Sequence, residues 1–246
     1  MNAVSMFIPC SVDLFLPGIA ESMVTLLRRA GVDPVYHQGQ TCCGQPAFNS
    51  GYRDEAKKAA KHFIKLFGED EVVVSPSGSC ACTVKFHYPE LLRDEPEWFG
   101  RATELASRVF ELSQYLVDVL KVEDFGASFE GKVTFHESCH NLRKLGISAQ
   151  PRKLIAAVKG AEMVPMNQED FCCGFGGTFA NNYADISESM VQDKVENYLA
   201  SEADVLLLSE PGCLLNIGGY LSRMHPHKKA MHLASFVAEN MKEARS

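Results

Sequence analysis

The sequence predicts an α/β protein of two tandem, pseudo-symmetric units, each a small, mostly parallel sheet flanked by helices, with cysteines at the carboxyl ends of strands. Three observations carry that expectation. Short apolar runs of strand length alternate with amphipathic stretches of helix length, the mark of a parallel sheet covered on both faces. Cys10, Cys42, Cys43 and Cys80 recur as Cys139, Cys172, Cys173 and Cys213, an internal repeat of about 130 residues. The turns rhyme too, since Ser75-Pro76-Ser77-Gly78 leads into Cys80 as Ser209-Glu210-Pro211-Gly212 leads into Cys213. The first unit is assigned to residues 1–125, with an added amphipathic helix, and the second to 126–246.

In chain order, Val4-Ser5-Met6-Phe7-Ile8 reads as a buried strand ending at Pro9-Cys10. A helix follows from Pro17 to Ala30, with Ile19, Met23, Leu26 and Leu27 inward, Arg28 and Arg29 in its last turn, and Gly31 as its stop. Pro34-Val35-Tyr36 is a strand that delivers the chain to Cys42-Cys43-Gly44. The next helix, Asp54 to Phe67, turns Ala59, Phe63, Leu66 and Phe67 inward, and Glu71 to Ser75 is a strand before the Pro76-Ser77-Gly78 turn. Arg101 to Leu120 reads as one amphipathic helix with a stripe of Leu105, Val109, Leu112, Leu116 and Val119. Its face is assigned to core, with a partner surface as the alternative. Lys121 to Gly131 is polar enough to link the halves.

The second half replays the first. Lys132 to His136 is a strand ending near Cys139, Pro151 to Lys159 is a helix stopped by Gly160, and Glu162-Met163-Val164 leads towards Cys172. Asp185-Ile186-Ser187-Glu188 has the form of a capping box for a helix running to Ala200. Val205 to Leu208 is the most hydrophobic strand, and Leu233 to Lys242 the closing helix.

Bulk properties narrow the function class. The 246 residues are 46% hydrophobic and 22% charged, enough to bury a core. A formal charge of −7 argues against nucleic acid or an anionic membrane as the main partner. Met1-Asn2-Ala3-Val4-Ser5-Met6 does not have the form of a secretory signal, and no transmembrane segment is expected. The cytoplasm is the expected compartment, with any membrane association made through partners. Nine cysteines in such a chain read as ligands or redox groups rather than a disulfide framework.

Adjacent cysteines bond each other poorly, because a vicinal disulfide is strained. They grip metal well from a loop in which a following glycine lets the backbone turn sharply. Four thiolates suit either tetrahedral zinc or an iron–sulfur cluster, and residue type alone does not choose. Inert buried cysteines have no reason to pair, to carry glycine and to repeat in register. His136 and His140 flank Cys139, as candidates to donate to cluster sulfurs or to move a proton. For His136 a plain strand-end histidine is favoured slightly. Gly174-Phe175-Gly176-Gly177 lacks the order of a dinucleotide loop and reads as backbone wrapped around the site. Arg143 and Lys144 follow the Cys139 loop and receive no role.

The doubled pattern of a cysteine, then Cys-Cys-Gly, then a further cysteine resembles the cysteine-rich CCG proteins, among them the cysteine-rich subunit of heterodisulfide reductase and the iron–sulfur subunit of glycolate oxidase. The closer resemblance, over nearly the whole chain, is to the lactate utilization protein A family. It rests on Cys42-Cys43-Gly44-Gln45-Pro46-Ala47, Asn49-Ser50-Gly51-Tyr52, Asp94-Glu95-Pro96-Glu97-Trp98, Cys172 to Phe179 and Cys213-Leu214-Leu215-Asn216-Ile217. The resemblance implies an iron–sulfur electron-transfer subunit acting in the oxidation of L-lactate to pyruvate, and not catalytic alone. It implies two partner subunits of the lactate-utilization type, one carrying ferredoxin-like clusters, and one or two clusters of the 4Fe-4S kind. Thr83 and Asn216 stand where heterodisulfide reductase units carry a fifth cysteine. Ordinary four-thiolate ligation is therefore expected, most securely in the second half; Cys82 is the alternative ligand in the first site, and zinc or no occupant the alternatives there. A disulfide reductase acting directly at a cluster, or a zinc-stabilised scaffold, are the alternative readings. Lactate and glycolate are not told apart by any residue.

Overall fold

The computed structural model describes residues 3–242. Two four-stranded sheets, every pairing parallel, form the frame. In the first unit β1 (Ala3–Met6), α1 (Cys10–Phe15), α2 (Pro17–Arg29) and β2 (Asp33–Tyr36) are followed by α3 (Gln45–Asn49), α4 (Arg53–Phe67) and β3 (Val73–Ser75). The chain then runs through α5 (Gly78–Cys82), α6 (Tyr88–Leu91), α7 (Pro96–Ser107), β4 (Val109–Glu111) and α8 (Leu112–Gln114). The second unit holds β5 (Ser128–His136), α9 (Ala149–Ala156), β6 (Lys159–Met163), α10 (Phe179–Asn182), α11 (Ala184–Ala200), β7 (Val205–Leu208), α12 (Pro211–Met224), β8 (Lys229–His232) and α13 (Leu233–Glu239). The sheet orders, β2-β1-β3-β4 and β6-β5-β7-β8, are the same arrangement twice.

The predicted α/β class, with two pseudo-symmetric units, is therefore what the chain adopts. Each cysteine set follows the carboxyl ends of its strands, where parallel sheets place their sites. Several element boundaries are corrected. The single helix expected over 101–120 is two helical segments divided by β4, because Val109 to Glu111 pair with Val73 to Ser75 and extend the sheet. The buried Glu111 carboxylate then accepts the Gln114 N–H, at 3.1 Å, and restarts the helix. Val119 is exposed rather than part of the stripe. Helix α9 stops at Ala156, and Lys159 opens β6 instead of closing the helix. Asp185 lies inside α11, whose N-cap is Tyr183, so the capping box is not formed. In α4 the inward face is Ala56, Ala60, Phe63, Ile64 and Phe67, and Ala59 and Leu66 are only half-buried. The linker is shorter than expected, since β5 begins at Ser128. Helix α12 and strand β8 add to the expected elements. Gly218 and Gly219 blur the helical signal of the first, and β8 has only four residues.

Three apolar cores follow. One outer core holds Cys43 and Cys80 with Phe7, Phe63 and Phe67, and the other holds Cys173 and Cys213 with Val195 and Tyr198. The third is shared: Leu26 and Leu27 of α2 pack with Phe236 and Val237 of α13 and with side chains of both sheets. Ser22 of α2 reaches Ser235 of α13 at 3.2 Å across this seam.

Candidate metal centres

The two cysteine quartets are assembled by the same local devices. Cys10 opens α1 just beyond β1, and Cys139 occupies the matching place beyond β5. The Cys42-Cys43 and Cys172-Cys173 pairs sit in loops that end on a left-handed glycine, Gly44 at φ 84° and Gly174 at φ 86°. A Cβ on Gly44 would stand 2.9 Å from the Ala59 Cβ, and one on Gly174 would stand 2.7 Å from the Ser187 carbonyl oxygen. Glycine is therefore required at both positions by conformation and by space. Cys80 and Cys213 lie in the first turns of α5 and α12, with Ser77 and Glu210 as the N-caps.

The predicted ligands come together as two sets of four. In the first, Cys43 Sγ is 3.5 Å from Cys80 Sγ, and the Cys42 thiol interacts with both Cys10 and Cys43. In the second, Cys173 Sγ is 3.0 Å from Cys213 Sγ, and the Cys172 thiol interacts with Cys139 and Cys173. All nine cysteines are free thiols. The Gly44 and Gly174 amides each donate to the first sulfur of their pair at 3.4 Å. Donation from Cys10 and Cys43 holds the Cys42 thiol far below the ordinary range, and donation from Cys139 and Cys173 does the same for Cys172. The donors are pushed up in turn, Cys10 and Cys139 by giving their protons to those bonds and by burial. In each quartet one thiol is thus held as a thiolate while the two beside it resist losing their protons. A bound cationic centre removes that resistance, so the donor set fits a thiolate-ligated metal or cluster.

The second centre opens on a cavity of about 80 Å3 lined by Cys139, Cys172, Cys173 and Cys213, with Gln45 and Ser79 reaching in from the first unit. The units meet tightly here. The Glu210 carboxylate accepts the Ser79 amide at 2.8 Å and the Ser77 and Ser79 hydroxyls at 3.1 and 3.0 Å, so one side chain joins the starts of α5 and α12. Gln45 contacts the His140 ring at 3.3 Å, and Ser50 contacts Thr178 at 3.2 Å, bringing the two Cys-Cys-Gly loops side by side.

Other sequence-predicted residues are placed as follows. Cys82 is fully buried, and none of the described hydrogen bonds links it to the quartet; burial pushes its thiol up to about 11. Thr83 bonds the Ser79 carbonyl at 2.9 Å, and Asn216 donates to the Cys173 carbonyl at 2.8 Å. The positions of the absent fifth cysteines therefore brace backbone. His140 Nδ1 lies 3.7 Å from Cys139 Sγ. Arg143 donates to the Asp170 carbonyl at 3.1 Å. His136 is the residue that sequence reasoning undervalued. It is buried, neither ring nitrogen has a hydrogen-bond partner, and its ligating nitrogen lies with the Cys173 and Cys213 sulfurs inside a 4.8 Å cluster. Burial pushes its basicity down to about 3, so the ring is neutral.

The model of the Cysteine-rich domain, CCG, matches twice, over residues 4–85 and 133–218. "Lactate utilization protein A" of Geobacillus kaustophilus is 47% identical over 94% of this chain and 96% of its own length. The protein of the same name from Bacillus licheniformis is 48% identical over 94% of this chain and 97% of its own. "Lactate utilization protein A 2" of Bacillus cereus is 43% identical over 97% and 98%. Among solved structures, a hypothetical protein from Helicobacter pylori superposes with a TM-score of 0.68 at 13% identity, over 99% of this chain and 50% of that one. That likeness concerns the fold alone.

Proposed function

The chain belongs to the lactate utilization protein A family and carries its cysteine-rich domain twice, and from that premise we propose that it is an iron–sulfur electron-transfer subunit of a multi-protein assembly oxidising L-lactate to pyruvate. The observation that carries this reading is the duplicated set of converging thiols, Cys10, Cys42, Cys43 and Cys80, and Cys139, Cys172, Cys173 and Cys213. These residues are proposed as the ligands of one cluster each, of the 4Fe-4S kind. A cluster so held supplies one-electron chemistry. The chain's own contribution is to present and to shield. Cys43, Cys80, Cys173 and Cys213 are sunk in apolar cores that exclude water, whereas Cys10 is exposed and Cys42, Cys139 and Cys172 are half-buried. Each site therefore has a dry inner face and an outer edge through which electrons can pass to another protein.

Two partner subunits, one carrying ferredoxin-like clusters, complete the proposed assembly, and removal of hydride from the hydroxy acid is assigned to a partner. Among the described residues no helix is long and apolar enough to cross a membrane. A cytoplasmic location is proposed, with any membrane association made through partners.

The test is paired substitution in protein purified without oxygen. Cys42→Ser and Cys172→Ser should each remove one paramagnetic signal and part of the iron while the chain stays folded by circular dichroism. An iron-free wild type, or two variants that unfold with loss of zinc, would place the protein among zinc-stabilised scaffolds instead.

A further inference from the structure

The two centres are built differently, and the register of the sheets reveals how. Met6 pairs with Val74 in the first sheet and Phe135 with Leu207 in the second. The residues that follow, Phe7 and His136, are therefore equivalents, each standing just ahead of the first cysteine of its quartet. The helix facing them changes in concert. Gly44 packs on Ala56 and Ala59 as Gly174 packs on Ser187 and Met190, which aligns α4 with α11 and sets Phe63 against Lys194. All four side chains are buried.

Around the first quartet Phe7 meets Phe63 edge-on, with ring centroids 4.7 Å apart, and Phe67 completes the cluster at 5.9 Å. Around the second, the His136 ring lies against the Cys173 and Cys213 sulfurs, and the Glu169 carbonyl is the backbone acceptor beside it, with neither ring nitrogen meeting a partner in full hydrogen-bonding geometry. Burial lowers the basicity of Lys194, the nearby Cys173, Cys213 and Cys172 thiols oppose that, and its ammonium is held by the Gln168 and Glu169 carbonyls. A buried polar group without a well-placed partner destabilises the fold, so such an imidazole is poor core material. A sulfur-rich anionic group beside it supplies the missing acceptor.

We propose that His136 and Lys194 make the second centre the higher-potential one, His136 by donating an N–H to a sulfur and Lys194 by fixing a positive charge beside it. Phe7 and Phe63 give the first centre neither. The inference rests on the iron–sulfur assignment proposed above. Reduction adds an electron to the bound group and no other atom need move, so a donor and a cation nearby stabilise the reduced form more than the oxidised. An electron shared within the chain then comes to rest on the second centre. Both are positioning residues that act through the sulfurs, since the four thiols already complete the ligand set.

The experiment is a redox titration of the full chain, prepared without oxygen and followed by paramagnetic resonance and iron analysis. His136→Phe, which gives the second unit the side chain of the first, should lower the midpoint potential of one centre and leave the other, and the iron content, unchanged. Lys194→Met should lower the same centre, and His136→Gln, which keeps an N–H donor, should recover part of the shift. Unchanged potentials with iron retained overturn the inference, as does loss of iron from His136→Phe and His136→Gln alike, which would make His136 a ligand. In the wild type, pulsed resonance with 15N-labelled histidine should detect nitrogen coupling at one centre; its absence overturns the inference however the variants fold. A wild type without iron defeats the underlying assignment, and this inference with it.

Discussion

At the scale of single residues, the site depends on what a few positions forbid. Gly174 has a left-handed backbone, and a Cβ there would press on the Ser187 carbonyl and, at 3.0 Å, on the Met190 Cβ. Handedness alone costs an ordinary residue about 1–2 kcal/mol. Gly174→Ala should therefore cost at least that much stability, and should strip metal from the second centre before the first. Thermal unfolding with metal analysis checks both. Glu111 makes a different demand. It is buried, and desolvation, reinforced by the nearby Glu210 charge, pushes its carboxyl up to about 7 from the ordinary 4.5. A group raised in this way contributes stability that is complete below 4.5 and is lost as pH rises through about 7. Glu111→Gln stays neutral and keeps an oxygen for the Gln114 amide. The variant should match the wild type below pH 4.5 and exceed it by about 3 kcal/mol above neutrality. Melting temperatures of the two proteins across that range decide it, and a gap that does not change with pH contradicts the argument.

At the scale of elements, the N-termini of α5 and α12 face each other and share Glu210. Removing this carboxylate leaves the half-buried Ser79 amide and two hydroxyls, that of Ser77 buried, without their acceptor. Glu210→Ala should cost about 2–4 kcal/mol, and Glu210→Gln about half as much, because hydrogen bonds to a charged acceptor are the stronger kind. Denaturant unfolding of the two variants measures it; equal losses would mean that packing rather than charge matters here. The elements also mark how far the sequence can be read. The periodic helices α2 and α4 and the apolar strand β7 are legible because one clear period runs through each, and α11 because its length and flanking turns bound it. Strand β4 is hidden, because Leu105, Val109, Leu112 and Leu116 keep helical spacing straight across it, and only the pairing of Val109 with Val73 reveals an extended backbone. The capping box at Asp185 fails because the N-cap falls two residues earlier, at Tyr183, whose carbonyl already takes the Ser187 amide.

For the molecule as a whole, duplication organises the chain and the shared core makes it one body. Leu26 and Leu27 of α2 bury themselves against Phe236 and Val237 of α13, and the cysteines collect at the strand ends between the units. The quartets are legible because a repeat of thiols survives without any knowledge of packing. The asymmetry between Phe7 and His136 stands in the same repeat. Its meaning appears only once the sheets fix the register and show the imidazole buried among sulfurs. The same holds for Lys194, whose burial beside the second quartet appears only in the fold. The claim on which everything else depends is that both quartets hold iron and sulfide. Iron, acid-labile sulfide and zinc should be measured together on protein purified without oxygen. The account predicts a brown protein with several irons per chain and sulfide in near-equal amount; a colourless protein with stoichiometric zinc and no sulfide would contradict it.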